Sequence, residues 1–278
     1  MGKINNREEL NKIRDKYLTE MLIRQGGVKN PDNKKFILVC GGTGCQSSNS
    51  KKILSNLEEE IKKNGLEDRV TATIVGCFGF CEQGPIVQVV PDDVFYVNVT
   101  PDNANLIVNE HIINGKIVES LLYTNPIDNS KIDKQHNIPF YKKQLRIALR
   151  NCGVINPEKI EEYIAIDGYQ ALAKSIFDLG ADNTLSEMKK SGLRGRGGGG
   201  FPTGMKWEFA KKEKNDIKYI ICNADEGDPG AFMDRSVLEG DPNSVLEAMA
   251  IAGYVIGASK GFVYIRAEYP LAIERLKI

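Results

Sequence analysis

Two cysteine pairs, Cys40-x4-Cys45 and Cys77-x3-Cys81, each follow directly on a short apolar run, Phe36–Val39 before the first and Val70–Val75 before the second. Runs of this length rich in β-branched residues read as buried strands. Between them, Ile53, Leu54, Leu57 and Ile61 share one face of a helix that Gly65 stops. In such a strand–helix–strand unit the strands run parallel, so their C-terminal ends lie side by side. Four thiols distant in sequence therefore converge at one edge of a sheet. Four converging thiolates suit Zn²⁺ or an iron–sulfur cluster. The tight C-x2-C knuckles of structural zinc are absent, and the spacing differs from the plant-type ferredoxin run. Gly41, Gly42, Gly44, Gly76 and Gly79 leave room for backbone N–H groups beside sulfur. The chemistry favours a [2Fe–2S] cluster over zinc or unrelated buried thiols, which stay open as alternatives.

The rest of the chain fits around this unit. Leu10, Ile13, Tyr17 and Met21 recur at helical spacing ahead of Gly26-Gly27, giving an N-terminal helix and tail over 1–30. Strands at Ile86–Val90 and Val94–Val99 and a helix at Ala104–Ile113 complete a βαβ-ββα domain over 31–122. His111 and His136 read as surface residues. Polar residues with Pro126 and Pro139 suggest a linker over 123–140. From 141 to 278 helices alternate with strands at Ile217–Cys222 and Gly261–Ile265, which favours a parallel α/β sheet. Helix starts are expected at Asn156-Pro157-Glu158 and at the capping boxes Thr184-x-x-Glu187 and Ser244-x-x-Glu247.

Charge and hydropathy exclude some functions. Lys and Arg total 37 and Asp and Glu total 37, a net charge of zero, so there is no electrostatic footprint for nucleic acid. The longest apolar run, Ala248–Ala258, is 11 residues, well short of the roughly 20 of a membrane helix. The N-terminus has no apolar core for a signal peptide. The expectation is a cytoplasmic protein without direct membrane insertion, in which six cysteines are not structural disulfides.

A second feature lies at Ser191–Trp207, where Gly195-Arg196-Gly197-Gly198-Gly199-Gly200 satisfies GxGxxG but follows a helix rather than the strand of a dinucleotide fingerprint. Residues without Cβ let backbone N–H groups close on a phosphate or a flat ring, and Arg194, Arg196 and Lys206 bring positive charge. Further on, strand Ile217–Cys222 runs into Asn223-Ala224-Asp225-Glu226-Gly227-Asp228. Carboxylates and amides at the C-terminal end of a parallel strand sit where α/β folds bind ligands.

These motifs carry two resemblances. Gly-Thr-Gly-Cys45 and Gly-Cys77-Phe-Gly-x-Cys81-Glu resemble the thioredoxin-like ferredoxins of NADH-oxidising complexes, in which the four cysteines ligate a [2Fe–2S] cluster. Residues 141–278 resemble the NADH-binding flavoprotein subunit of respiratory complex I, through the Gly192–Trp207 loop, Cys222–Arg235 and Tyr264–Tyr269. The implied fold is α/β, a thioredoxin-like ferredoxin domain followed by a partial Rossmann-like FMN-binding domain. The resemblance implies that Cys40, Cys45, Cys77 and Cys81 hold the cluster. It implies that Gly195, Arg196, Gly197 and Lys206 line FMN, with Asn223, Asp225 and Glu226 on its other side. Gly198 would lie against NADH, with Phe201 and Phe209 near its adenine. Asp228 stands where the family often has Glu, and Gly199 where alanine is common.

Fusion of the two domains is similar to the β subunit of multimeric, often electron-bifurcating [FeFe]-hydrogenases. The implied activity is oxidation of NAD(P)H, or reduction of NAD(P), with hydride passing between nicotinamide and FMN and single electrons reaching iron–sulfur centres. Implied partners are a hydrogenase catalytic subunit and a small [2Fe–2S] ferredoxin-like subunit. The alternatives are a non-catalytic [2Fe–2S] electron-transfer or docking module, a flavoprotein subunit of NADH-quinone oxidoreductase or formate dehydrogenase, and a zinc-stabilised scaffold. Members of the family continue into a four-cysteine [4Fe–4S] segment, and the two spare cysteines, Cys152 and Cys222, cannot supply it. The expectation is a partial chain that holds its [2Fe–2S] cluster and binds FMN weakly.

Overall fold

The computed structural model describes residues 3–28, 30 and 32–278. Met1, Gly2, Lys29 and Pro31 lie outside the described residues, so the expected boundary between 30 and 31 and the very start of the N-terminal tail are not placed.

Helix α1 (Arg7–Arg24) starts at Asn6, whose side chain accepts the Glu9 N–H at 2.9 Å. Acidic Glu8 and Glu9 in its first turn suit the helix dipole. Next come β1 (Lys35–Cys40), α2 (Thr43–Ser47), α3 (Ser50–Lys63), β2 (Val70–Val75), β3 (Val87–Val90) and β4 (Val94–Tyr96). The sheet order is β2-β1-β3-β4. β1 and β2 are parallel, from Lys35 opposite Val70 to Cys40 opposite Val75, and β3 and β4 add antiparallel. This register delivers both cysteine pairs to one edge. Ile53, Leu57 and Ile61 of α3 pack on Ile37, Val39, Val87 and Val89, while Phe36, Leu38 and Cys40 bury the opposite face with Phe78 and Phe95. Burial on both faces is why β1 reads as a continuous apolar run.

Helix α4 (Asn103–Leu106) runs on into π-helical turns over Ile107–Ile113. His111, expected at the surface, is only 3% exposed there. The Val118 N–H donates to the Tyr96 hydroxyl oxygen at 3.1 Å, Tyr96 donates to His111 Nδ1 at 2.8 Å, and Nε2 faces Asp92 at 3.0 Å. A neutral imidazole satisfies every one of these contacts. Its neighbours Tyr96 and Asp92 are strand and turn residues, so local periodicity could not show which way the ring points. Burial holds the His111 pKa below its ordinary value and Lys35 pushes the same way, against the opposing Asp92. The folded state therefore disfavours protonation. Its contribution to stability is complete above the unfolded value of about 6.5 and is lost as pH falls below it. The anaerobic thermal midpoint should drop between about pH 7.5 and about 5.5, and His111→Gln should flatten that dependence. Equal slopes in the two chains would contradict it.

Residues 123–140, expected as a linker, are ordered against the domain. β5 (Tyr123–Thr124) and β6 (Lys131–Ile132) form a hairpin. The flanking backbone extends the sheet beyond β4, with Val97 N–H donating to Leu121 and Phe95 N–H to Asp133. Ile138 and, on α5 (Pro139–Lys142), Tyr141 join the core beside Phe78 and Phe95. Only a few apolar residues anchor this segment, too few to show periodicity.

The second half contains α6 (Ile160–Ala165), α7 (Gln170–Ala173), α8 (Gly180–Lys190), α9 (Thr203–Lys212), β7 (Tyr219–Ala224), α10 (Met233–Gly240), α11 (Pro242–Ile256), β8 (Lys260–Ile265) and α12 (Pro270–Lys277). β7 and β8 pair in parallel, Tyr219 opposite Lys260 through Ala224 opposite Ile265. Three expected helix starts move. Thr184 lies inside α8, its hydroxyl donating to the Gly180 carbonyl at 2.8 Å. Asn156 makes a turn with the Glu158 N–H, and α6 begins only at Ile160. α11 begins at Pro242 under an Asp241 cap, because proline pre-set for the first turn and an upstream carboxylate outcompete Ser244. Glu247, freed from capping, accepts from Tyr163 Oη, Tyr169 N–H and Leu172 N–H at 2.6, 2.8 and 3.1 Å.

The two halves touch closely. A Cβ on Gly76 would sit 2.7 Å from Gly240 Cα, and one on Gly240 would sit 2.5 Å from Cys152 Sγ. Cys152 is a buried thiol, as expected, and its pKa is pushed up to about 12 by burial. Cys222 is half-buried. No helix among the described residues is long and apolar enough to cross a membrane.

Candidate functional site

β1 ends at Cys40, the Gly41-Gly42 turn leads into α2 with Cys45, and the chain leaving β2 carries Cys77 and Cys81. The structure brings all four expected thiols together. Cys77 Sγ lies 3.8 Å from Cys81 Sγ, and Cys40 and Cys45 are buried in the same cluster as Cys77. The thiol row lies past the ends of β1 and β2, and Cys45 approaches Cys81 within it: a Cβ on Gly44, the neighbour of Cys45, would lie 3.9 Å from Cys81 Sγ. Four thiols in two pairs suit a binuclear iron–sulfur cluster.

The surroundings fit that group. A Cβ on Gly42 would lie 3.1 Å from Cys77 Sγ, and one on Gly84 would lie 2.7 Å from Cys45 Sγ. Only glycine leaves the sulfurs this room. Gly79, at φ +84°, turns its N–H onto Cys77 Sγ at 3.3 Å, a donor suited to thiolate. As free thiols, Cys40, Cys77 and Cys81 hold their protons tightly. Hydrogen bonding to Cys45, with burial, pushes Cys40 up to about 12, and hydrogen bonding to Cys40, with burial, pushes Cys77 up to about 11. Contact with Cys77 and burial raise Cys81 as well. Positive charge of the kind iron supplies would favour the thiolate forms of Cys40, Cys77 and Cys81.

Aromatic rings close the inner side. Phe80 stacks on Phe140 with centroids 4.7 Å apart, and the Tyr141 hydroxyl donates to the Phe78 carbonyl at 3.0 Å. Cys81 faces outward and is exposed. Phe140, Tyr141 and Gly84 are residues that motif reading missed. Phe140 lay in the supposed linker and Tyr141 just beyond it, and Gly84 lies outside the cysteine motif.

The glycine loop is a closed turn between α8 and α9. Gly195 N–H donates to the Phe201 carbonyl and Thr203 N–H to that of Leu193, both at 2.9 Å, while Arg194 Nε donates to the Gly200 carbonyl at 2.7 Å. The tip stays open: Cβ atoms built on Gly197, Gly198 and Gly199 would have no neighbour within 4 Å, and Gly198 adopts φ +96°. Arg196 and Lys206 are exposed. Phe201 and Phe209 lie with centroids 6.3 Å apart, both exposed. Ser191, Gly192, Arg194 and Arg196 line a hollow of about 560 Å³ below the tip.

The acidic loop leaves the C-terminal end of β7. Asn223, Asp225 and Asp228 are exposed along it. Glu226 turns inward and caps α10, accepting the N–H groups of Met233, Asp234 and Arg235 at 2.7, 3.1 and 3.4 Å. The elements that carry the two loops share one support, since α11 packs against α8, α9 and β7. No hydrogen bond joins them among the described residues.

Residues 28–111 match the thioredoxin-like [2Fe–2S] ferredoxin family and residues 188–278 match the Nuo51 FMN-binding domain. The NADP-reducing hydrogenase subunit HndC of Solidesulfovibrio fructosivorans is 65% identical over 136 residues, 49% of this chain and 27% of that protein. An NADH-quinone oxidoreductase subunit of Rhizobium meliloti (strain 1021) is 47% identical over 131 residues, 47% of this chain and 31% of that protein. The chain thus spans about a third or less of the length of these relatives. The thioredoxin-like [2Fe–2S] ferredoxin from Aquifex aeolicus is 29% identical, covering 34% of this chain and 99% of that one at a TM-score of 0.31. The four thiols and the two loops therefore lie on a thioredoxin-like [2Fe–2S] ferredoxin domain followed, in the same chain, by a Nuo51-type FMN-binding domain.

Proposed function

We propose that the chain is the nicotinamide-facing flavoprotein part of a multisubunit redox enzyme of the hydrogenase or NADH dehydrogenase type. One observation carries this reading: α10 starts from the Glu226 cap at the acidic loop and ends with Glu239 hydrogen-bonded to Thr43 in the thiol turn. A single rigid element links the candidate flavin loop to the candidate cluster.

FMN, when bound, exchanges a hydride equivalent with nicotinamide and single electrons with iron–sulfur centres. The chain's own residues bind and orient. Gly197, Gly198 and Gly199 present backbone without side-chain walls, so a flat ring can approach the N–H groups. Arg196 and Lys206 supply positive charge beside the phosphate and ring. Asn223, Asp225 and Asp228 offer acceptors for sugar hydroxyls, and Glu226 holds their loop by fixing the start of α10. Phe201 and Phe209 provide a stacking surface for a base. Cys40, Cys45, Cys77 and Cys81 hold the iron. Partners of this reading are other redox subunits, a hydrogenase catalytic subunit and a small [2Fe–2S] ferredoxin-like subunit among them, and its compartment is the cytoplasm.

The test is Gly198→Trp in the chain supplied with FMN. The indole would fill the open tip, so NADH-dependent dye reduction should fall by about 100-fold or more while the cluster spectrum is unchanged. Undiminished dye reduction would refute the loop assignment.

A further inference from the structure

Beside the thiol row, the second half of the chain buries two charged side chains, Glu239 and Arg275, and partly buries a third, Arg235. Glu239, 1% exposed, sits at the end of α10 and accepts the Thr43 N–H at 3.0 Å and the Thr43 hydroxyl at 2.5 Å. Thr43 opens α2, the short helix that carries Cys45. Arg275 of α12 has no exposed side-chain surface; its Nε faces Glu158 at 3.2 Å and its Nη1 donates to the Glu239 carbonyl at 2.5 Å. Its Nη2 is buried without a hydrogen-bond partner among the described residues and lies 3.0 Å from where a Cβ on Gly41 would be, one residue beyond Cys40. Arg235 Nε of α10 faces the Glu239 carboxylate at 3.9 Å and makes no hydrogen bond among the described residues.

A buried guanidinium N–H without an acceptor is costly, and Arg24 and Arg146 carry such groups elsewhere in the chain. What distinguishes Arg235 and Arg275 is their place beside the thiol row, where negative charge would lower the cost of holding them. A four-thiolate [2Fe–2S] group is anionic and gains a further negative charge on reduction. We propose that the flavin-binding half supplies the charged surroundings of the ferredoxin cluster, with Arg275 and Arg235 stabilising its reduced form and Glu239 both anchoring the Cys45 helix and opposing reduction. The cluster's potential is thereby tied to the seating of one domain on the other. The close approach of Gly76 to Gly240 gives that seating a defined contact, which any side chain at either position would push apart.

The proposal rests on the cluster reading and makes predictions of opposite sign. Charge near a cluster sets its potential. In the full chain, under anaerobic conditions, an EPR-monitored redox titration should show Glu239→Gln raising the cluster potential and Arg275→Met lowering it. Arg235→Gln, at a side chain 20% exposed and so less disruptive to packing, should also lower it. Iron and sulfide content should stay at the unmodified level in all three. A merely structural role would change cluster content or thermal stability without opposite shifts. Normal iron and sulfide with unmoved potentials, or shifts of one sign for Glu239→Gln and Arg235→Gln, would overturn the interdomain proposal alone. Zinc in place of iron and sulfide in the unmodified chain would instead sink the cluster reading.

Discussion

Cys40→Ala should abolish cluster binding: iron and acid-labile sulfide fall from about two of each per chain to near zero, and the visible absorption is lost. Cys40 ends β1, shares a buried cluster with Cys45 and Cys77, and is 1% exposed. No other thiol reaches its place, since the nearest spare one, Cys152, is packed behind Gly76 and Gly240 with its Sγ directed at the Ser236 carbonyl at 3.7 Å. Alanine is the informative change because serine keeps an oxygen that can ligate iron. The fold should survive, because β1 keeps its pairing to β2 and β3 and loses only one sulfur from a core of Phe78, Phe95 and Ile86. Far-UV circular dichroism close to the unmodified chain, together with lost iron, is the expected pair of results. Full iron and sulfide in the variant would contradict the ligand assignment.

Glu162→Ala should cost about 3–5 kcal/mol, the largest stability effect outside the thiol site. Arg24 at the end of α1 and Glu162 on α6 have side chains 1% and 4% exposed and meet at 2.7 Å. Glu162 also accepts the Asn156 N–H at 2.7 Å. Removing it strands a guanidinium charge and a backbone donor away from water, with only the half-exposed Glu20 carboxylate left to Arg24. Burial, not the attraction by itself, makes the loss large: the pair contributes little in total, yet a lone partner is strongly unfavourable. Replacing both residues by leucine should therefore be milder than Glu162→Ala alone. Denaturant unfolding of the three chains measures this, and a double variant as unstable as the single one would contradict the explanation.

Much of the ferredoxin domain is legible in its residues because its signals are local. β1 and β2 are apolar runs bounded by glycine and cysteine, and α3 shows Ile53, Leu57 and Ile61 on one face. Parallel pairing then follows from the crossover, which is how spacing alone places four thiols together. The second half is less legible. Thr184 and Ser244 carry capping signatures, but the helices begin earlier, because a cap is decided by which upstream residue competes for the same N–H groups. The 123–140 segment is polar overall, and the packing of Ile138, with the adjoining Tyr141, against Phe78 shows that it belongs with the domain. Glu226 illustrates the limit at the site: its place in the acidic motif is visible in the chain, whereas its inward turn to cap α10 depends on where α10 begins.

Residue type and spacing by themselves pointed to the convergence of four thiols past a strand–helix–strand unit and to a glycine loop without side-chain walls, because each depends on groups within a few residues or on one strand–helix–strand crossover. The tertiary structure alone decided the burial of His111 against Tyr96 and Asp92. It also decided the docking of 123–140 and the placement of Glu239, Arg235 and Arg275 around the thiol row. Those contacts join residues up to 196 positions apart, as Thr43 and Glu239 are. Which distant charges meet is settled by how two domains pack, and no local periodicity encodes it.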